Sequence, residues 1–252
     1  MEVIAVINQR GGVGKTTTAL SVFSGLRRRG YSVLFVDLDA QGNSSYSLGA
    51  STEGYNVMGV LERPETIREE IQQTAQGDVL ASSYRLSIAD KVLESTGKEY
   101  RLREALSNVR ELYDFVVIDT PPFLGVLTIN ALTACDKALI PAQADVYSLQ
   151  GIAQLSGTIE TVRKYCNPDL EVMGVVLTRY NSRAVITKEL TEMISDTAEK
   201  LGTRLFDTRI RECTAIKEAQ AKRTDIYSYA PRSNASADYT ALTDEIIGGS
   251  HE

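Results

Sequence analysis

The sequence predicts an α/β fold, a parallel, twisted sheet flanked by helices on both faces, and three observations predict it. Short β-branched runs at residues 3–7, 33–36, 115–118, 138–140 and 172–177 are almost continuously apolar, the mark of strands buried on both sides. Between them lie segments with helical patterning at 16–29, 101–110, 147–165 and 184–201, and strand–helix alternation of this kind builds a parallel sheet. Glycines crowd the first strand–helix junction and acids close the second and third strands, where open α/β sheets keep their ligands.

Composition narrows the function classes. The 252 residues can bury one large core, and no linker, low-complexity tract or repeat divides them, so residues 1–252 are expected to form a single domain. A net charge of −6 provides no global basic field for nucleic acid; a DNA contact would need a local basic patch. Cys135, Cys166 and Cys213 are widely spaced, which argues against a disulfide framework or a zinc site and suits a reducing cytosol. The single histidine, His251, is the penultimate residue, which leaves no histidine for acid–base or metal chemistry in the body of the chain. No apolar run approaches the ~18 residues of a membrane span, and residues 246–252 carry no basic amphipathic face, so no membrane association is expected.

The first strand runs into Asn8-Gln9-Arg10-Gly11-Gly12-Val13-Gly14-Lys15-Thr16-Thr17, which opens the first helix. This is the setting of a phosphate-binding P-loop. Glycines let successive backbone N–H groups turn inward around an anion, and the new helix adds its own unpaired N–H groups. Lys15 would reach the β- and γ-phosphates of a nucleotide, and the Thr16 hydroxyl would ligate Mg²⁺. The common form GxxxxGK(S/T) requires glycine at position 9, where Gln9 stands. The helix then ends in Arg27-Arg28-Arg29 before Gly30, which complements the helix dipole; a solvated helix end and a binding patch both fit.

The second strand ends in Val36-Asp37-Leu38-Asp39-Ala40-Gln41-Gly42-Asn43, two acids and then a flexible polar loop. Asp37 either supports that loop or caps the strand. The third strand, with Phe115-Val116-Val117-Ile118-Asp119, has the Walker B form, four apolar residues and then an acid. After the fourth strand, Leu149, Ile152, Leu155, Ile159 and Val162 recur at three- and four-residue spacing, one buried face of a helix.

Arg10-Gly11-Gly12-x-Gly14-Lys15-Thr16 resembles the deviant Walker A motif of the ParA/MinD family of P-loop ATPases, with arginine where the family has its signature lysine. The 36–43 stretch is similar to that family's switch, with Ala40 in place of proline. Residues 123–132, 140–145 and 147–151 are similar to the family's continuation, although their residue types imply no chemistry by themselves. The resemblance runs from residue 1 to about 247 and is densest in the first half, closest to ParA/Soj-type DNA partition ATPases.

That resemblance implies a site. Nucleotide contacts would come from Arg10, Gly11, Gly12, Val13, Gly14, Lys15, Thr16 and Thr17, with Arg10, Lys15 and Asp39 catalytic. Arg10 would cross a dimer interface to the partner's phosphates, where its planar fork can bind bidentately; the plain alternative is a solvated arginine at the loop edge. Asp39 would orient the attacking water, and Thr16, Asp39 and Asp119 would hold or adjoin the metal. Thr178 and Arg179, or Ile210 and Arg211, would meet adenine; the family has proline where Arg211 stands.

The resemblance also implies ATP and Mg²⁺ as cofactors and a homodimer formed on ATP binding. It implies nonspecific DNA as a ligand and a ParB-like centromere-binding adaptor that stimulates slow intrinsic hydrolysis. The protein would be cytoplasmic, and nucleoid-associated when ATP-bound. Since the first strand begins at residue 2 or 3, no helix-turn-helix domain is expected ahead of it. DNA contacts would come from among Arg179, Arg183, Lys188, Lys200, Arg204, Arg209, Arg211, Lys217, Lys222 and Arg223, each equally readable as a surface charge. Two other readings of the fold are a MinD-like positioning ATPase, which calls for a basic amphipathic C-terminal helix, and a metabolic or redox enzyme, which calls for paired cysteines or a carboxylic substrate pocket.

Overall fold

The computed structural model describes residues 1–182 and 185–248; Arg183, Ala184 and the tail with His251, on which some of the expectations above fall, lie outside the described residues. In chain order the elements are β1 (Glu2–Val6), α1 (Lys15–Arg28), β2 (Val33–Asp37), α2 (Asn43–Leu48), α3 (Val57–Glu62), α4 (Ile67–Glu70), β3 (Gln72–Thr74) and β4 (Gly77–Leu80). Then come α5 (Ala89–Val92), α6 (Arg101–Ser107), β5 (Phe115–Asp119), α7 (Val126–Ala134), β6 (Lys137–Ala142), α8 (Val146–Tyr165), β7 (Glu171–Tyr180) and α9 (Val185–Lys200). β8 (Leu205–Arg211), α10 (Ala215–Ala221), α11 (Ile226–Tyr229) and α12 (Asn234–Gly248) complete the chain.

Among the described residues the strands form one eight-stranded sheet in the order β3-β4-β2-β5-β1-β6-β7-β8. All five expected strands are present. Three more were not foreseen, because each lacks a continuous apolar run. β3 and β4 are three and four residues long and pair antiparallel at one edge, so the sheet is parallel as expected except at that edge strand. β8, at the other edge, alternates buried Phe206 and Ile210 with polar Asp207 and Arg209, the pattern of a strand covered on one face only.

Side chains of period two feed two cores, one per face. Val3, Ala5 and Ile7 of the β1 region join Leu102, Ala131, Ile152 and Ile194 under α6 to α9. Ile4 and Val6 join Val22, Phe23, Tyr239 and Leu242 under α1 and α12. The helical face Ile152, Leu155, Ile159 and Val162 is buried as its spacing requires. α1 and α12 approach closely at Gly25, where an added β-carbon would lie 2.4 Å from Thr243 Oγ1.

The arginine run at the end of α1 is exposed at Arg27 and Arg28 and half-buried at Arg29, and each arginine also has a partner within the fold. Arg27 donates to the Gln76 carbonyl and Arg28 stacks over Tyr227. Arg29 pairs with Asp244 of α12. Among the described residues no helix is long and apolar enough to cross a membrane.

Candidate phosphate and metal site

Strand register brings the site together. β5 lies between β2 and β1, all parallel, so Asp119 sits level with Asp37 on one side and with Val6 on the other. The loops that leave β1, β2 and β5 therefore open at one edge of the sheet, beside the place where strand order changes direction.

The loop after β1 takes two left-handed turns, at Gly12 (φ +80°) and Gly14 (φ +84°), which residues with side chains rarely adopt. Gly14 caps α1 without a side-chain hydrogen bond, so the first N–H groups of the helix remain available to an anion. Neighbouring elements brace the loop from behind. The Thr178 hydroxyl lies 2.8 Å from the Val13 carbonyl and 3.1 Å from that of Ala142. Gln143 Nε2 donates to the Gly12 carbonyl at 2.9 Å, and Asn8 Nδ2 donates to the Pro141 carbonyl at 2.7 Å.

Lys15 is buried, and its Nζ donates to the Arg10 carbonyl at 3.1 Å, curling back over the loop. Burial lowers its pKa, an effect opposed by the charges of Asp119 and Asp39. In front lies a cavity of about 450 Å³ lined by Gly11, Gly12, Gly14, Lys15, Thr16 and Thr17, together with Asp39, Asn43, Tyr46 and Gln220. Arg10 and Val13, the other two residues expected at the phosphates, do not line it. Val13 is buried beneath the loop.

The acids divide their roles. Asp37 is fully buried; it accepts from Asp39 N at 3.1 Å, Ser45 N at 2.8 Å and Ser45 Oγ at 2.7 Å, which settles its alternatives in favour of loop support. Asp39 lines the cavity, its carboxylate accepting from Gln41 N at 3.0 Å. Asp119 is buried close to Lys15 and Thr16, two residues that line the cavity. Ser44 Oγ donates to its Oδ2, while Oδ1 is buried with no hydrogen-bond partner.

Burial raises the pKa of both Asp37 and Asp119. For Asp37 the neighbouring Asp119 charge adds to the rise; for Asp119 the Ser44 and Thr16 hydroxyls and Lys15 oppose it. A buried carboxylate oxygen without a partner, next to a threonine hydroxyl and under an N–H-rich loop, is the donor set of a hard divalent cation bound to a polyphosphate.

Arg10 points elsewhere. Its guanidinium holds Asp145 at 2.5 Å, lies 3.4 Å from Ser148 Oγ and stands 5.2 Å from the centre of the Tyr147 ring. Within its own subunit it is held by Asp145 rather than turned into the cavity, with 32% of its side chain exposed.

The four residues expected at the base do meet. Thr178, Arg179, Ile210 and Arg211 line one cavity of about 160 Å³ with Glu212, Cys213 and Lys217. That cavity shares Gly14, Thr17, Arg179 and Gln220 with the phosphate cavity, so the two adjoin. Arg179 is left-handed (φ +48°), and Arg211 forks onto Asp238 with contacts of 2.6 to 3.2 Å.

Four participants escaped the sequence reading: Ser44, Gln143, Asp145 and Gln220. Only Asp145 carried a local signal, since an acid three residues before Ser148 at a helix start is a capping pattern, and its Oδ1 does accept from Ser148 N at 2.8 Å. Cys135 is buried and hydrogen-bonded to the Leu132 carbonyl, in line with packing; burial pushes its thiol pKa up.

Comparison with known proteins agrees with this geometry. The AAA domain family matches residues 1–172. The chain is 35% identical over 250 residues to the sporulation initiation inhibitor protein Soj of Bacillus subtilis, covering 97% of this chain and 98% of Soj. It is 36% identical over 256 residues to the chromosome partitioning protein ParA of Caulobacter vibrioides, covering 98% and 94%. A crystal structure of cobyrinic acid a,c-diamide synthase from Mycobacterium smegmatis with bound ADP and magnesium superposes with a TM-score of 0.83 at 31% identity, over 98% of this chain and 94% of that one. MinD from Pyrococcus horikoshii, with a TM-score of 0.78 at 21% identity over 97% and 95%, shares the fold. A deviant phosphate loop, two register-matched acids and full-length likeness to partition proteins lead to one conclusion: the chain belongs to the ParA/Soj/MinD-type family of P-loop ATPases.

Proposed function

We propose that this protein is a DNA partition ATPase whose ATP-bound form is a dimer that binds DNA without sequence preference. The observation that supports this most is the full-length identity of 35–36% to Soj and ParA in a chain whose loop residues, Lys15, Thr16, Asp39 and Asp119 all lie at one edge of the sheet.

In this reading Gly11 to Thr17 hold the phosphates, and the Thr16 hydroxyl with the free Oδ1 of Asp119, directly or through water, holds Mg²⁺. The metal supplies charge neutralisation at the phosphates. Asp39 orients the attacking water from the cavity rim. Lys15 exchanges its bond to the Arg10 carbonyl for a phosphate oxygen. Thr178, Arg179, Ile210 and Arg211 receive the base. Arg10 completes the second subunit's site across the interface. Slow turnover follows from this machinery, because a single carboxylate positions the water. A ParB-like adaptor accelerates hydrolysis and returns the protein to a free cytoplasmic pool.

DNA retention on filters with ATP, ADP or no nucleotide, repeated across salt, tests the reading. Retention with ATP alone, falling steeply with salt, is expected. Equal retention in all three states would refute it.

A second reading, an ATP-dependent amide-forming synthase, is favoured by the 31% identity to the Mycobacterium smegmatis synthase. It predicts no ATP-gated DNA retention, and ATP turnover stimulated by a carboxylic acid plus an amine donor.

A further inference from the structure

The arginine at the signature position is held by its own subunit. Arg10 Nη1 lies 2.5 Å from both carboxylate oxygens of Asp145, and the guanidinium is backed by the exposed Tyr147 ring. The holder is itself rigid. Asp145 caps α8 through Ser148 N, its own N–H donates to the Gln143 carbonyl at 2.8 Å, and Gln143 N donates to Ser148 Oγ at 3.1 Å. Both ends of the pair are only partly exposed, at 32% and 29%. Burial works to raise the Asp145 pKa, yet the hydrogen bonds and charge of Arg10, with those of Ser148, outweigh it and hold the carboxyl below its ordinary range.

We propose that Asp145, with Tyr147, is a positioning device that parks Arg10 in the free subunit, and that opening this clasp is a required step when two subunits close around ATP. The proposal rests on the sandwich-dimer reading above. Asp145 holds Nη1 through both oxygens while the guanidinium lies over Tyr147, so the side chain is folded against α8 of its own subunit, and reaching another subunit's phosphate requires this pair to open. The cost of release sets a threshold. At low ATP the subunits stay apart, and only the larger phosphate charge outbids Asp145. Arginine suits this use better than lysine, because its plane both stacks on Tyr147 and addresses two acceptors. The clasp also links the phosphate loop to the 143–148 turn through Gln143 and Gly12, so a protein docking on the exposed Val146–Tyr147 corner of α8 would bias the same equilibrium.

The test is dimer formation with a non-hydrolysable ATP analogue and Mg²⁺, followed by size-exclusion with light scattering. Asp145→Asn retains the helix cap, because an amide oxygen can accept from Ser148 N, and removes the charge that holds Arg10. A partly exposed ion pair contributes about fivefold at most, and a dimer releases two, so the association constant is expected to rise up to about 25-fold. Nucleotide affinity of the monomer should stay unchanged and the melting temperature near wild type. Asp145→Glu should restore the wild-type threshold. Tyr147→Ala, which removes the stack at an exposed position and leaves the cap intact, should move the constant in the same direction by less; it also stands in if Asp145→Asn fails to fold. In an Arg10→Ala background Asp145→Asn should add nothing. An Asp145→Asn constant equal to or below wild type, or a gain that persists without Arg10, overturns the clasp while leaving the dimer intact. No dimer in wild type or any variant overturns the sandwich reading, and the clasp falls with it.

Discussion

The phosphate cavity and the adjoining cavity proposed for the base are built differently. On the phosphate side, Gly11 to Thr17 are consecutive, and Asp37 and Asp119 end fully buried strands paired residue for residue. On the base side, Thr178 and Arg179 lie just before the end of β7, whose pairing with β8 is broken by two register shifts. There Arg211 is oriented by Asp238, 27 residues away. The phosphate side is thus dictated by local backbone and central strands, and the base side by long-range packing at the sheet's edge. In the proposed reading, chemistry that tolerates little displacement sits where the sheet is most regular, and recognition that tolerates more sits where it is least so.

Substitutions can break that contrast, and the largest expected effect is on the phosphate side. Lys15→Ala should reduce Mg-ATP affinity by roughly 100-fold or more, the scale of losing a charge-assisted contact in a half-enclosed site, and calorimetry would read it. Affinity within a fewfold of wild type would mean that the cradle does not grip phosphate.

Asp39→Ala comes next. Steady-state hydrolysis should fall about 100-fold, the lower end for losing a positioned carboxylate, while analogue affinity changes little and the ATP dimer accumulates. Parallel loss of binding and turnover would recast Asp39 as an element of the fold rather than of the reaction.

Thr178 and Arg211 probe the boundary between the two sides. Thr178 lines the base cavity, yet its hydroxyl braces Val13. Thr178→Val should therefore cost about tenfold in ATP affinity, one buried hydrogen bond, with a matching loss for inorganic triphosphate, which has no base. Arg211→Ala should cost about threefold for ATP and nothing for triphosphate, as half of its side chain is exposed. The reverse ranking would dissolve the distinction between the two sides.

Legibility in the sequence followed the same division. Gly12, Gly14, Lys15, Thr16 and Asp119 could be placed from spacing alone, because a strand–turn–helix fixes its own geometry. The base residues were gathered only through resemblance, although all four do share a cavity. Arg10 shows where local reading stops. Its nearest acid is 135 residues away, and no pattern around residue 10 indicates which side chain holds it. β8 was missed for a related reason, since a one-sided edge strand interleaves charges that a continuous apolar test rejects.

The smallest effect, on stability rather than activity, concerns what the phosphate side costs in the absence of ligand. Asp119 is fully buried, level with Asp37, and keeps one oxygen without a partner. Its pKa is raised by burial, so the folded state binds its proton more tightly than the unfolded chain does. By linkage, stability from this group is fully present below the ordinary carboxylate range and is lost as pH rises through the raised value. Asp119→Asn removes that dependence. Without nucleotide, the variant should be more stable than wild type at pH 8, by about 1 kcal/mol or more. A higher melting temperature would report this, and the gap should narrow toward pH 5. Adding Mg-ATP should reverse the order, because only the wild type gains from the metal. Arg211→Ala, on the base side, should lower the melting temperature under both conditions, since it leaves the nearly buried Asp238 with a single backbone donor, Arg211 N. A gap for Asp119→Asn that does not change with pH would show that this acid is accommodated at no cost, and that the cradle is not held under electrostatic tension.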